Sequence, residues 1–222
     1  LLSPSSSFGA WGTDKSLVAE TLQAAGVPMP RGVLLRPGDP WPRDFPLPAV
    51  LKPNDGCGSQ GMGFMEKPEA EASMYARRLE AFVPGVAASV AMLRGPAGLL
   101  PLPACSQRLT DDGTFAYLGG RCPLPEPLAA RAERLARRAA AAMPAWCGYV
   151  GVDLVLGAAD DGSQDYVIEV NPRLTTSYVG LRAATANNLA QAMVAAQRGE
   201  TFELEFEGRP LQFDTAGHVS YE

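Results

Sequence analysis

Two stretches rich in β-branched and aromatic residues, separated by a turn-rich stretch, constrain the fold of this 222-residue chain most strongly. They are Gly-Tyr-Val-Gly-Val-Asp-Leu-Val-Leu, which holds Asp153, and Asp-Tyr-Val-Ile-Glu-Val-Asn-Pro-Arg, which holds Glu169 and Asn171. The Ala-Ala-Asp-Asp-Gly-Ser between them predicts an antiparallel hairpin. If residues whose numbers sum to 322 face each other, Asp153 lies opposite Glu169. Asn171 then lies on the same face, because strand side chains alternate.

Two carboxylates that face each other directly repel, so a hairpin with this register usually holds a cation between them. Carboxylate oxygens suit Mg²⁺, which leaves room for phosphates in its coordination shell. The alternative is a solvent-exposed acidic face. The register is also open: Asp161-Gly162 favours a two-residue turn, which would place the carboxylates on opposite faces. A three- or five-residue loop would bring them together.

A glycine-rich loop follows a short predicted strand, Ala49-Val50-Leu51-Lys52-Pro53. Its backbone N–H groups could wrap phosphate oxygens, although a plain tight hairpin is an equal alternative. The loop lacks the P-loop pattern, and it leads into another strand rather than a helix, which argues against a Rossmann unit. Lys52 is one of only three lysines. A compact ammonium beside such a loop favours phosphate binding over a solvated strand end.

The bulk properties exclude several classes of function. A net charge of -5 and a pI near 5.0 argue against nucleic acid as a partner. The sequence shows neither a membrane span nor a secretory signal. Four scattered cysteines indicate free thiols in a cytoplasmic protein, and the single histidine, His218, makes a histidine-based catalytic site improbable. Because the chain starts without Met, we expect the later part of a longer protein.

Hydrophobic periodicity predicts an α+β fold, in which helices cover one side of antiparallel strands. Helices are predicted over 13–25, 69–78, 126–142 and 182–197, and the arginines of the third are expected to form a solvated face. Strands are predicted around 33–35, 49–52, 62–65, 79–83, 88–93, 104–109, 114–118, 202–206 and 210–213, besides the hairpin.

Four motifs occur in the order found in ATP-grasp carboxylate–amine ligases, and the whole chain resembles that family. They are Val50–Pro53 with the glycine loop, Leu79–Gly85, Gly151–Asp153 and Ile168–Arg173. The resemblance implies an ATP-grasp fold with two α+β lobes that clasp ATP, and an upstream substrate domain that we expect to be missing here. It divides the chain into 1–35 (linker and first helix), 36–84 (small lobe with the glycine-rich lid) and 85–222 (large lobe with the metal-binding hairpin).

The resemblance also implies roles for individual residues. Lys15 and Lys52 would contact the ATP phosphates, and a mobile lid, poorly ordered over 54–61 without nucleotide, would include Gly56, Gly58, Ser59 and Gly61. Glu80 would face the adenine amino group, and the backbone of Ala81 and Val83 would bind the adenine edge. Mg²⁺ or Mn²⁺ would be held by Asp153, Glu169 and Asn171. Arg173 would act with Lys52 in catalysis by stabilising the transferring phosphoryl group.

Two positions depart from the family pattern. Ala87 stands where many relatives have a ribose-binding Glu, and Gly151 stands where D-alanine–D-alanine ligases carry Arg. The segment Asn171–Arg182, with Asn187-Asn188-Leu189, is most similar to the tyramine–glutamate ligase branch of methanofuran-type cofactor synthesis.

The implied partners are a small-molecule carboxylate and an amine, joined through an acyl phosphate, and a homodimer is allowed. A small-molecule kinase or ATPase, or a nucleotide-binding module without catalysis, is the alternative.

Overall fold

The computed structural model describes residues 3–56, 61–69 and 73–222. The helices in this part are α1 (Ser6–Thr13), α2 (Lys15–Ala24), α3 (Leu128–Ala142), α4 (Ser177–Ala183) and α5 (Leu189–Arg198). The strands are β1 (Gly32–Leu35), β2 (Ala49–Pro53), β3 (Gly63–Met65), β4 (Arg77–Ala81), β5 (Val86–Gly95), β6 (Gly98–Pro101), β7 (Cys105–Leu109), β8 (Tyr117–Cys122), β9 (Gly148–Leu156), β10 (Tyr166–Asn171), β11 (Leu211–Asp214) and β12 (Val219–Tyr221).

The strands form two sheets in which neighbouring strands run antiparallel. The small sheet has the order β1-β4-β2-β3. The large sheet has the order β10-β9-β5-β7-β8-β11-β12, with β6 paired to β5. The α+β class predicted from the sequence is confirmed.

Helices cover both faces of the large sheet, so the expectation of helices on one side is wrong. One core packs α1, α2 and α3 against one face of β5 and β9, where Val90 and Val152 are fully buried. A second core packs α4 and α5 against the opposite face, around Leu93 and Tyr149. The sequence of β5 is apolar at nearly every position because both of its faces are covered.

The small sheet separates its apolar residues from its charges by strand alternation. Ala49 and Leu51 of β2 and Leu79 of β4 lie in a third core, together with Leu35 and Phe45. The intervening residues of the two strands project from the opposite face. They include Lys52, Arg78 and Glu80, which are all buried. The alternation therefore places three charged side chains on the face that meets the large sheet.

Several predicted elements differ from the structure. The helix over 69–78 is wrong, because Arg77–Ala81 forms β4, while 70–72 lie outside the described residues. The helix over 182–197 is two helices, α4 and α5, and the expected strand around 202–206 is a single bridge between Thr185 and Phe206. Helix α1 and strands β6 and β12 were not predicted. None of the helices in the described ranges is long and apolar enough to cross a membrane.

Candidate active site

In the hairpin formed by β9 and β10, Glu169 lies directly opposite Asp153, which is the predicted register at the two carboxylates. The expected short loop is wrong, because nine residues, 157–165, connect the two strands. Near that connection Val167 faces Leu154, and a β-bulge at Ile168 then shifts the register by one residue. The bulge lets Val167 and Val170 both enter the core, while Glu169 lies on the same side as Asp153.

Asp153 is held by two side-chain amides. Asn171 Nδ2 donates to Asp153 Oδ2, and Gln107 Nε2 of β7 donates to Asp153 Oδ1, both at 2.8 Å. Burial, followed by the charge of Glu169, raises the pKa of Asp153 to about 7, although the two amide hydrogen bonds act in the opposite sense. A bound cation would remove the repulsion between the two carboxylates.

Lys15, at the start of α2, contacts Glu169 from the other side. Its Nζ lies 3.2 Å from Glu169 Oε1 and donates to the carbonyl oxygen of Gly56 at 2.9 Å. The predicted phosphate-binding lysine, the predicted metal ligand and the start of the glycine-rich loop are therefore in contact.

Lys52 is buried at the end of β2, and its Nζ forms an ion pair with Glu80 Oε2 at 2.7 Å. It also donates to the carbonyl oxygen of Ile168, the bulged residue of β10, at 3.3 Å. Arg78 Nε pairs with the second oxygen of Glu80 at 2.6 Å. Burial alone would raise the pKa of Glu80, but the charges and hydrogen bonds of Lys52 and Arg78 outweigh it and lower the pKa.

A cavity of about 330 Å³ lies between the two sheets, within the range of small-molecule sites. Its wall includes six residues predicted for the site, namely Lys52, Glu80, Ala81, Val83, Asp153 and Glu169. Aromatic and aliphatic side chains supply much of the rest, including Phe82, Phe115 and Leu154. The cavity is thus charged at Lys52 and at the hairpin carboxylates, and apolar between them.

The backbone groups predicted to bind adenine are only partly available. The Ala81 N–H already donates to the Arg31 carbonyl oxygen at 2.8 Å, so this donor is occupied.

Of the predicted lid, Gly58 and Ser59 lie outside the described residues, and Gly56 and Gly61 are exposed with positive φ. Asn54 differs from the expectation of a poorly ordered lid. It is buried, and it accepts a hydrogen bond from the Ser16 hydroxyl at 2.6 Å.

Arg173 lies at the exposed end of the hairpin. Its Nη2 donates to Asn171 Oδ1 at 3.1 Å, and its Nη1 donates to the Leu174 carbonyl oxygen. Within the described ranges Arg173 forms no ion pair, so its guanidinium is not engaged with a carboxylate of the surrounding fold.

The position of Gly151 has little room for a side chain. A Cβ there would approach Thr175 Cγ2 to 2.5 Å, so a larger residue would require the Thr175 side chain, in the loop before α4, to move. Ala87 lines the cavity, as the ribose contact of the family would require, but it has no polar group.

Two residues that organise the site were not predicted from the sequence. Arg78 was assigned to a helix, although its alternation with Glu80 was a possible strand signal. Gln107 carried no signal, because its contact with Asp153 joins residues 46 positions apart. The arginines of α3 were also misassigned in part, since Arg131 is buried against Asp165 rather than solvated.

The family model of the ATP-grasp domain matches residues 12–177. The chain belongs to the ATP-grasp domain family. A curated relative, the tyramine–L-glutamate ligase of Methanocaldococcus fervens, is 28% identical over 169 residues, which cover 76% of this chain and 51% of the relative. This ATP-grasp chain therefore spans about half the length of that relative.

Solved structures with the same fold agree with this membership. An ATP-grasp superfamily protein from Archaeoglobus fulgidus is 25% identical, with a TM-score of 0.71 over 96% of this chain and 60% of its own. Biotin carboxylase from Campylobacter jejuni, in a complex described as β-γ-ATP, is 17% identical, with a TM-score of 0.78 over 95% of this chain and 52% of its own. The second likeness concerns the fold alone.

Proposed function

We propose that this ATP-grasp chain binds ATP with a divalent cation in the cavity between its sheets, and that the protein is a carboxylate–amine ligase. The observation that carries the proposal is the meeting of Lys52, Asp153 and Glu169 around one cavity, although the sequence separates the first from the others by about a hundred residues. The small lobe (36–84) would supply Lys52 and Glu80, and the large lobe (85–222) the hairpin.

The hairpin fits a Mg²⁺ or Mn²⁺ ion by its chemistry. Glu169 faces Asp153 directly, and the side-chain amide of Asn171 donates a hydrogen bond to Asp153. We expect these three side chains to hold the ion, which would neutralise phosphate charge. Gln107 would orient the Asp153 carboxylate from the neighbouring strand.

For phosphoryl transfer the protein has to position the reactants and neutralise their charge, rather than form covalent bonds with them. A carboxylate oxygen of the substrate attacks the γ-phosphorus of ATP, and ADP leaves, which yields an acyl phosphate. An amine then attacks the acyl carbon, inorganic phosphate leaves, and the nitrogen loses a proton to give the amide. Lys52 would neutralise phosphate charge, and the exposed guanidinium of Arg173 would contact the transferring phosphoryl group.

The substrates proposed are L-glutamate and tyramine, or a related amine. The support is the name of the curated relative and the similarity of the segments 171–182 and 187–189 to that branch.

The test is a phosphate-release screen of the full-length protein with ATP, amino acids and amines, beginning with L-glutamate and tyramine. We expect ADP, phosphate and an amide only when both substrates are present. Glu169→Gln should lower the rate by about a hundredfold or more, the scale of a lost electrostatic stabiliser. Glu133→Gln, which removes an exposed charge from α3, is the matched control. A phosphorylated product formed without any amine would contradict the ligase, and unimpaired function in Glu169→Gln would contradict catalysis at this site.

A further inference from the structure

Lys15 lies where a cation is unfavourable by itself. It is the first residue of α2, and helix N-termini carry partial positive charge. Its side chain is only 8% exposed, so water screens the ammonium poorly. An anionic partner is therefore needed at this position, and in the structure that partner is Glu169, 3.2 Å from Nζ.

The backbone of Lys15 is fixed by the residues around it. Asp14 caps α2 by accepting hydrogen bonds from the N–H groups of Ser16 and Leu17. The main-chain carbonyl oxygen of Asn54 accepts a hydrogen bond from the Lys15 N–H at 3.0 Å. The side-chain amide of Asn54 donates to Asp14 Oδ1 at 2.9 Å. Any exchange of partners by Lys15 therefore has to come from rotation of its side chain.

The two hairpin carboxylates are occupied differently. Both oxygens of Asp153 accept hydrogen bonds from neutral amides, whereas Oε1 of Glu169 holds the Lys15 ammonium. A divalent cation that binds Glu169 would meet this positive charge at close range. The ammonium and the cation therefore compete for one carboxylate.

We propose that Lys15 makes the metal site selective for a cation that arrives with a nucleotide. Without nucleotide, Lys15 holds Glu169 and weakens the binding of a free divalent cation. The phosphates of a nucleoside triphosphate attract the ammonium away from Glu169, and the carboxylate is then available to the cation. This inference rests on the proposed function, because it requires the nucleotide to bind in the same cavity.

The test is calorimetric titration of the metal-free protein with Mn²⁺, first without nucleotide and then with a non-hydrolysable ATP analogue. Lys15→Met keeps the aliphatic stem and removes the charge, and Lys15→Gln is the second variant in case the first does not fold. Lys67→Met, at an exposed lysine in the bend that follows β3, is the matched control for the loss of one positive charge.

Without nucleotide, Lys15→Met should bind Mn²⁺ about three- to tenfold more tightly than the wild type, the scale of a partly buried ion pair. With the analogue, its Mn²⁺ affinity should not exceed that of the wild type, so the gain in affinity from the nucleotide is smaller in the variant. Lys67→Met should match the wild type in both titrations.

If Lys15→Met and Lys15→Gln bind free Mn²⁺ no more tightly than Lys67→Met, the competition is refuted, even if nucleotide binding is intact. If the wild type binds neither Mn²⁺ nor the analogue, the proposed function fails as well. The two failures are thus separated by the wild-type titration.

Discussion

At the scale of single residues, Arg173 is the side chain whose role depends most on chemistry rather than on packing. It is exposed and bonded to the amide of Asn171. Arg173→Ala should lower kcat by two or more decades, corresponding to about 2.7–4 kcal/mol of lost electrostatic stabilisation, while the Kd for ATP changes little. Steady-state kinetics and nucleotide titration of the same variant measure both. Collapse of ATP affinity with kcat retained would make Arg173 a ground-state binding residue.

Lys52 contributes to both stability and nucleotide binding, and the two effects can be separated. Lys52→Ala should weaken ATP binding by about 1.5–3 kcal/mol, because a buried phosphate loses a charged donor. It should also destabilise the fold, since buried Glu80 loses one of the two cations that pair with it in the described part of the chain. Lys52→Met, which keeps the aliphatic stem, should retain more of the stability than Lys52→Ala without recovering ATP affinity. Calorimetry measures the ATP affinity of each variant, and denaturant unfolding measures its stability. Unchanged nucleotide affinity in folded Lys52→Ala would refute the assigned role.

The raised pKa of Asp153 makes stability depend on pH. This pKa is about 7 in the folded protein, against an ordinary value of 3.8. Between these values the folded protein binds more protons than the unfolded chain, so stability falls as the pH rises through this window. Asp153→Asn removes the effect. The free energy of unfolding of Asp153→Asn, relative to wild type, should increase by more than about 1 kcal/mol from pH 4 to pH 8 without divalent metal. A difference independent of pH would be inconsistent with this assignment.

At the scale of secondary-structure elements, the hairpin is braced from α3 by a buried ion pair. Arg131 pairs with Asp165, and Asp165 also accepts the Gly157 N–H at 3.0 Å, so both ends of the loop are tied to one helix. Arg131→Ala should lower the free energy of unfolding by about 3–5 kcal/mol, because a buried carboxylate loses its counter-ion.

Arg137→Ala on the same helix is the control, since Arg137 pairs with Glu133 at the exposed surface. It should cost less than about 1 kcal/mol. Denaturant unfolding measures the free energy of unfolding of both variants. Equal losses would show that the Arg131–Asp165 ion pair does not stabilise the hairpin.

The elements that sequence analysis missed are those stabilised mainly by distant contacts. Helix α1 contains two glycines and has weak intrinsic propensity, but Phe8 packs on Trp146 and Gly12 lies against Pro172. Strand β4 alternates charges that look solvated in sequence, but Arg78 and Glu80 are buried as a pair, and Glu80 also pairs with Lys52 of β2. The break before α5 had a local signal, since Asn188 caps that helix by accepting from the Gln191 N–H.

At the scale of the whole molecule, the sequence predicted the hairpin but left its register open. Strand alternation allowed Glu169 to lie opposite Asp153, whereas the two-residue turn favoured by Asp161-Gly162 would have placed them on opposite faces. The bulge at Ile168 and the nine-residue connection, which accompany the observed register, had no local signal. The contact of Lys52 with the Ile168 carbonyl oxygen joins residues 116 positions apart. It depends on how the two sheets approach each other, and no local spacing encodes that approach.

The same approach of the two sheets creates the cavity. The most direct test of the proposed nucleotide and metal site is a crystal structure with a non-hydrolysable ATP analogue and Mn²⁺. We expect an anomalous manganese peak in contact with Asp153, Glu169 and Asn171. The adenine should lie in the cavity beside Val83, with the phosphates near Lys15 and Lys52. A nucleotide bound outside this cavity, or a manganese ion that contacts neither Asp153 nor Glu169, would contradict the proposed site.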